Sequence, residues 1–201
     1  GTSGDFAQGI EFNKEARSNK AVVSSTQVGM DLLTTAESAL VELAALATRL
    51  REIGIADTNS TNSTSDTAAL NAEAVSVSDS IDDIVSTLKF HSVTLLGTGT
   101  KSFNIVNDVD GGTTSVKTTE GIAATNITDA TNSNTTADTA LTEINTSLGH
   151  VAGGMSALGA YGNISSAMES IELQTAARLI DTNFALETAV FPPPKSFEPE
   201  A

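Results

Sequence analysis

The chain has 201 residues, enough for one or two domains, and carries 25 acidic against 10 basic residues for a formal charge of −15. That balance argues against a nucleic-acid partner and against docking on an anionic membrane surface, since both need a basic face. Cysteine and tryptophan are absent, which removes disulfides, thiol catalysis and Cys-based zinc sites, and Tyr161 is the single tyrosine. No apolar run reaches the length of a membrane-spanning helix and no N-terminal signal peptide is visible.

In chain order, residues 1–11 are expected to be a flexible N-terminus or an added remnant. A helix is expected from about Asp5 or Phe12, with Glu15, Arg17 and Lys20 on a charged face and Gly29 as a weak point. From Leu32 the pattern sharpens. Leu32, Ala36, Ala39, Leu43, Leu46, Leu50 and Ile53 step 4, 3, 4, 3, 4, 3. This 3.5-residue period marks a helix buried along a partner helix of similar length. Gly54 and the run Asp57-Thr-Asn-Ser-Thr-Asn-Ser-Thr-Ser65 should stop it, because these side chains compete for backbone hydrogen bonds.

Ser65 or Asp66 then caps a second helix whose seam is Leu70, Ala74, Val77, Ile81, Ile84 and Leu88. Asp79, Asp82 and Asp83 fall on its wet side. After Phe90 the period changes. Residues 102–107 alternate Phe103 and Ile105 with polar residues, Asp108-Val-Asp-Gly-Gly112 reads as a turn, and residues 113–118 are Thr-rich, so a small β-hairpin is expected. Residues 119–136 read as an irregular return loop. A third long helix follows from Ala137 to about Glu187, with a seam at Leu141, Ile144, Leu148, Val151, Met155 and Leu158. Its five glycines, Gly149, Gly153, Gly154, Gly159 and Gly162, imply either close backbone approach or a weakened segment. After Pro192 the chain cannot be helical, which leaves an extended tail.

The fold class expected is therefore mainly α: an elongated antiparallel helical bundle or coiled-coil rod, with a small β-hairpin region at one end. The parts are residues 12–96 with two rod helices, 97–136 with hairpin and loop, 137–190 with the C-terminal rod helix, and 191–201 as a Pro-rich tail.

Ordered motifs add a resemblance. Leu33-Thr-Thr-Ala-Glu-Ser-Ala-Leu-Val-Glu-Leu43, Thr48-Arg-Leu-Arg-Glu-Ile53, Asn59-Ser-Thr-Asn-Ser63, Leu158-Gly-Ala-Tyr161 and Ala177-Arg-Leu-Ile-Asp-Thr-Asn-Phe-Ala-Leu-Glu-Thr188 resemble bacterial flagellin over about residues 20–190. The resemblance implies the rod-shaped flagellin core domain, without the terminal inner-tube helices and outer domains of larger relatives. It implies a structural subunit of the extracellular flagellar filament, self-assembling through rod–rod contacts for motility. Its partners would be other flagellin subunits and, possible in addition, the Toll-like receptor for flagellin. This chain alone is expected to be monomeric or weakly associating. Carried over position by position, the receptor-binding residues are Arg49, Ile53 and Glu73, while Ala56 stands where the family often has Gln. Ile53 also continues the apolar seam, so it competes between core and surface. The alternatives are a hook–filament junction protein, or a flagellin-like surface adhesin or binding module.

No chemistry competes with that reading. Asp108-Val-Asp-Gly111 lacks the later ligands of a calcium loop. His91 and His150 read as surface or edge histidines, and Asp82-Asp83 as a solvated face. No catalytic residues, metal ligands or cofactors are expected, and the chain is read as no enzyme.

Overall fold

The computed structural model describes residues 2–190, and side chains through residue 185. Among the described residues there are three α-helices, α1 (Thr2–Asp57), α2 (Thr64–Thr87) and α3 (Ser133–Val190), and two antiparallel hairpins. The first hairpin joins β1 (Lys89–Phe90) to β2 (Val93–Thr94), and the second joins β3 (Lys101–Val106) to β4 (Thr113–Thr119). The Pro-rich tail expected at 191–201 lies outside the described residues.

α1 runs without a break from Thr2, so residues 2–11, expected as a flexible lead-in, form its first turns. Its 56 residues make it about 84 Å long. α3 lies antiparallel to it along nearly the whole length. Gly9 faces Ala176 and Ile180, Gly29 faces Leu158, Leu33 faces Gly154, and Gly54 faces Ser133 and Asn134. These pairs keep one register, as a coiled coil requires.

The heptad is longer than the sequence pattern suggests, and two of its expected positions differ, while Leu32, Ala36, Leu43, Leu50 and Ile53 are buried as expected. In α1 Gly9, Ala16, Leu32 and Ile53 are buried, and beside Leu32 and Ile53 runs a continuous buried column of Asn19, Val22, Thr26, Gly29, Leu33, Ala36, Leu40, Leu43, Ala47, Leu50 and Gly54. The column alternates steps of 3 and 4 without a fault. Ala39 and Leu46, expected in the seam, are only half-buried, and Leu40 and Ala47 take their places. Gly29 is no weak point. A Cβ there would stand 2.7 Å from Leu158 Cδ1 and 3.2 Å from Ile105, so the missing side chain is what lets α3 and β3 close on α1. Of the five α3 glycines, Gly154 and Gly162 are of this kind, against Leu33 and Val116 and against Thr26. Gly149, Gly153 and Gly159 face open space.

With Glu73 level with Arg49, α2 covers the part of the rod from about residue 35 of α1 onward. Its N-cap is Ser63, whose hydroxyl accepts from Asp66 N while Asp66 accepts from Ser63 N, a reciprocal capping box two or three residues before the expected cap at Ser65 or Asp66. Ala74, Ile81 and Val85 enter the core beside Leu40, Leu43 and Leu50. Where α2 stops, His91 and Ser92 take positive φ values of 46° and 68°, the tight turn that joins β1 to β2. The β3–β4 hairpin then lies across the α1–α3 groove. Ile105 reaches Gly29, and Val116 reaches Gly154. Beyond that hairpin α1 and α3 continue as a two-helix pair, so the molecule has a three-helix half with an aliphatic core and a two-helix half whose seam is small and polar.

Candidate interaction surface

The residues singled out by the family motifs fall on the three-helix half. α1 carries Arg49 and Arg51 on its outer side, since positions 50, 53 and 54 are spent on the core. The two arginines diverge. Arg49 grips α2 through a two-pronged ion pair, Nε to Glu73 Oε1 at 2.6 Å and Nη2 to Glu73 Oε2 at 2.8 Å, and also meets Glu52 at 3.2 Å. Arg51 turns to α3 and donates from Nε to Asp138 Oδ1 at 2.8 Å. The parallel donors of guanidinium match a carboxylate plane, which makes this fork geometry specific. Hydrogen bonding from Arg49 holds the Glu73 carboxyl below the usual carboxylate range, against a smaller opposing push from burial.

Arg49 and Glu73 are thus brought together on one exposed ridge, with Ala56 exposed further along α1. Ile53 is not on that ridge. It is fully buried, with a relative exposure of 0%, because its column packs against α2 and α3. A partner laid on the ridge would meet the Arg49–Glu73 pair and not the Ile53 side chain.

A second polar cluster was not legible in the sequence. Asp82, expected on a solvated face, is half-buried and accepts from Thr125 N and Thr125 Oγ1, both at 2.8 Å, and from Asn126 N at 3.2 Å. Ser78 shares a 2.6 Å hydrogen bond with Thr125 and accepts from Ile127 N at 3.1 Å. Asn71 accepts from Ala130 N, and Glu143 from Ala123 N. Side chains of α2 and α3 therefore supply the acceptors that the irregular loop between β4 and α3 cannot find in itself, which pins that loop to the rod. A shallow groove of about 380 Å³ opens beside it, lined in part by Asp82, Val85, Leu96, Lys101 and Ile122.

His150, on α3, meets Glu120 at 3.0 Å, and Lys117 meets the same carboxylate at 3.3 Å. Hydrogen bonding from Lys117 and its charge hold Glu120 below the usual carboxylate range, with a smaller contribution from the His150 contact. His91 stands edge-on to the Phe90 ring at the β1–β2 turn. The Asp108 carboxylate accepts from Asp110 N and Gly112 N, which makes it the organiser of the hairpin turn. Among the described residues no three metal-binding side chains converge, and no helix is long and apolar enough to cross a membrane.

These features define a class: a long antiparallel helical rod, clasped on one side by a hairpin, whose chemistry is surface complementarity. Comparison with known proteins shows what the chain is similar to. Residues 4–100 match the model of the bacterial flagellin N-terminal helical region. The chain is 29% identical to a flagellin of Halalkalibacterium halodurans over 94% of its own length and 75% of that protein. It is 32% identical to a flagellin of Clostridium tyrobutyricum over 47% of its length, and 30% identical to flagellin A of Vibrio cholerae over 50%. Those two matches span 26% and 28% of the longer relatives. The crystal structure of Bacillus cereus flagellin aligns with 72% of this chain and 86% of its own, with a TM-score of 0.45 and 24% identity. The chain is thus similar to bacterial flagellins, most extensively to that of Halalkalibacterium halodurans among these three relatives.

Proposed function

We propose that this protein is a structural subunit of the extracellular bacterial flagellar filament, assembling with other flagellin subunits by rod-to-rod contact and so serving motility. The observation that carries this reading is the fault-free heptad from Asn19 to Gly54, paired in one register with α3. A seam of that length makes a stiff rod with long free faces, the form a subunit needs to stack into an open helical polymer. In dilute solution the single chain is monomeric or only weakly associating. Immunogold electron microscopy with antibodies raised against this chain tests the reading. Label along the filaments of producing cells is expected, and unlabelled filaments on cells that make the protein would overturn it.

The exposed Arg49–Glu73 ridge favours a second role, as an epitope for the Toll-like receptor for flagellin. Arg is enriched among interface anchors, and here it is presented rigidly by its fork to Glu73. Ile53 contributes from beneath, by holding the α1 backbone in place. Ala56, where the family often has Gln, takes one polar contact away. Titration of receptor ectodomain with the protein and with Arg49→Ala, alongside circular dichroism, should show binding that the variant loses with helicity intact. Equal binding by both would remove the ridge from the epitope.

A further inference from the structure

The two-helix half carries a charge pattern that the rod itself does not use. Ile10, Lys14, Arg17 and Ala21 step 4, 3, 4 along the outer face of α1, and all four are exposed. They line a shallow concavity of about 510 Å³ together with Asn13 and Ser18. Lys14, Arg17 and the adjacent Lys20 are three of the ten basic residues in a chain of net charge −15, and among the described residues none of them is in an ion pair. Arg49, Arg51 and Lys117, by contrast, each have a carboxylate partner.

The outer face of α2 carries the complement. Ala72, Ser76, Asp79 and Asp83 step 4, 3, 4, all exposed, and line a concavity of similar size, about 570 Å³. Asp79 and Asp83 are likewise in no ion pair among the described residues. Small residues stand at one end of each stripe, Ala21 and Ala72, so two helices laid side by side can come close there. One molecule cannot join its own two stripes. Glu73 is level with Arg49, so Asp83 lies well short of Lys20 on α1, and the gap is about 30 Å along the rod at 1.5 Å per residue.

We infer that the α1 stripe of one copy docks on the α2 stripe of a second copy, with Lys14 and Arg17 set against Asp83 and Asp79. This rests on the filament-subunit reading and deepens it by naming a contact. Two different patches meet, so the contact is heterologous and leaves one cationic and one acidic stripe free at the ends, which lets a row continue. A single exposed ion pair contributes little, and the value of the pattern lies in register and in steering copies of a strongly anionic chain past their mutual repulsion.

A charge swap in the full chain tests it. Sedimentation equilibrium at millimolar concentration and low ionic strength compares the wild type, Lys14→Glu/Arg17→Glu, Asp79→Lys/Asp83→Lys, and an equal mixture of the two variants, each checked for helicity. Each variant alone should associate at least tenfold more weakly than the wild type, and the mixture should recover it, because every mixed contact again pairs opposite charges. The aspartate variant is the decisive arm. It lowers the net negative charge, so general repulsion alone would make it associate more strongly. Stronger association of that variant, a mixture no better than its parts, or a wild type without measurable association would each overturn the contact. Antibody-labelled filaments together with any of these would leave the subunit reading standing and remove only this interface.

Discussion

Asn19 on α1 donates through Nδ2 to Glu172 Oε2 on α3 at 2.9 Å, and both residues are buried although 153 positions separate them. They occupy core positions of the two-helix half, where leucines would be expected. Thr26, Ser165 and Asn183 are buried in the same stretch of seam. The Asn19–Glu172 pair trades stability for register, since a slipped pairing would bury the amide and the carboxylate apart.

Asn19→Leu should therefore destabilise the rod by about 1–3 kcal/mol, because the Glu172 carboxylate loses a buried donor. Asn19→Leu/Glu172→Leu should recover most or all of that loss, with an apolar pair in place of a polar one. Thermal unfolding followed by circular dichroism reads both. A single variant as stable as the wild type would show that the amide contributes nothing to the seam.

The glycines divide by what a methyl group would meet. At Gly54 an added Cβ would stand 2.2 Å from the Asn134 backbone nitrogen, and backbone cannot swing aside as a side-chain tip can. Gly54→Ala should cost at least about 1–3 kcal/mol through overpacking. At Gly153 nothing lies within 4 Å, so Gly153→Ala should gain about 0.5–1 kcal/mol from helix propensity. Chemical denaturation midpoints should thus move in opposite directions, and a loss at both positions would contradict the packing described here.

Three carboxyls set the response to acid. Asp66 is held below its ordinary range by hydrogen bonds from Ser63, Glu73 by Arg49, and Glu120 by Lys117 and His150. A folded-state pKa below the unfolded one means that the folded chain binds protons less readily. The contribution is complete above the unfolded value and is lost as the pH falls through the folded one. The unfolding temperature should be flat through neutral pH and fall below the usual carboxylate range of about 4. Glu73→Gln should flatten part of that fall, and an unchanged acid slope in this variant would exclude Glu73 as a contributor.

Much of the rod was written locally. The 3.5-residue period between Leu32 and Ile53, the turn-forming run after Asp57 and the alternation around Phe103 and Ile105 placed three long helices and the β3–β4 hairpin, because each depends on neighbours within a few positions. Two positions of the α1 seam did not follow. Apolar residues fill adjacent columns of α1, and the period alone cannot say whether Ala39 and Leu46 or Leu40 and Ala47 face inward. Contact with α3 decided that, and it drew Asn19, Thr26 and Gly29 into the same seam although none of them looks like a core residue. The interaction surface divides in the same way. The motifs brought out Arg49, Ile53 and Glu73 together, while the fold paired Arg49 with Glu73 and buried Ile53 beneath them. Asp82 became an anchor for the Thr125 loop for the same reason. The sequence by itself determined periods, breaks and charge, which are properties of one helix or turn at a time. Which column is covered, which carboxylate meets which donor and which stripe stays open depend on surfaces from 24 to 153 residues apart in the chain, and only the tertiary structure brings those surfaces together.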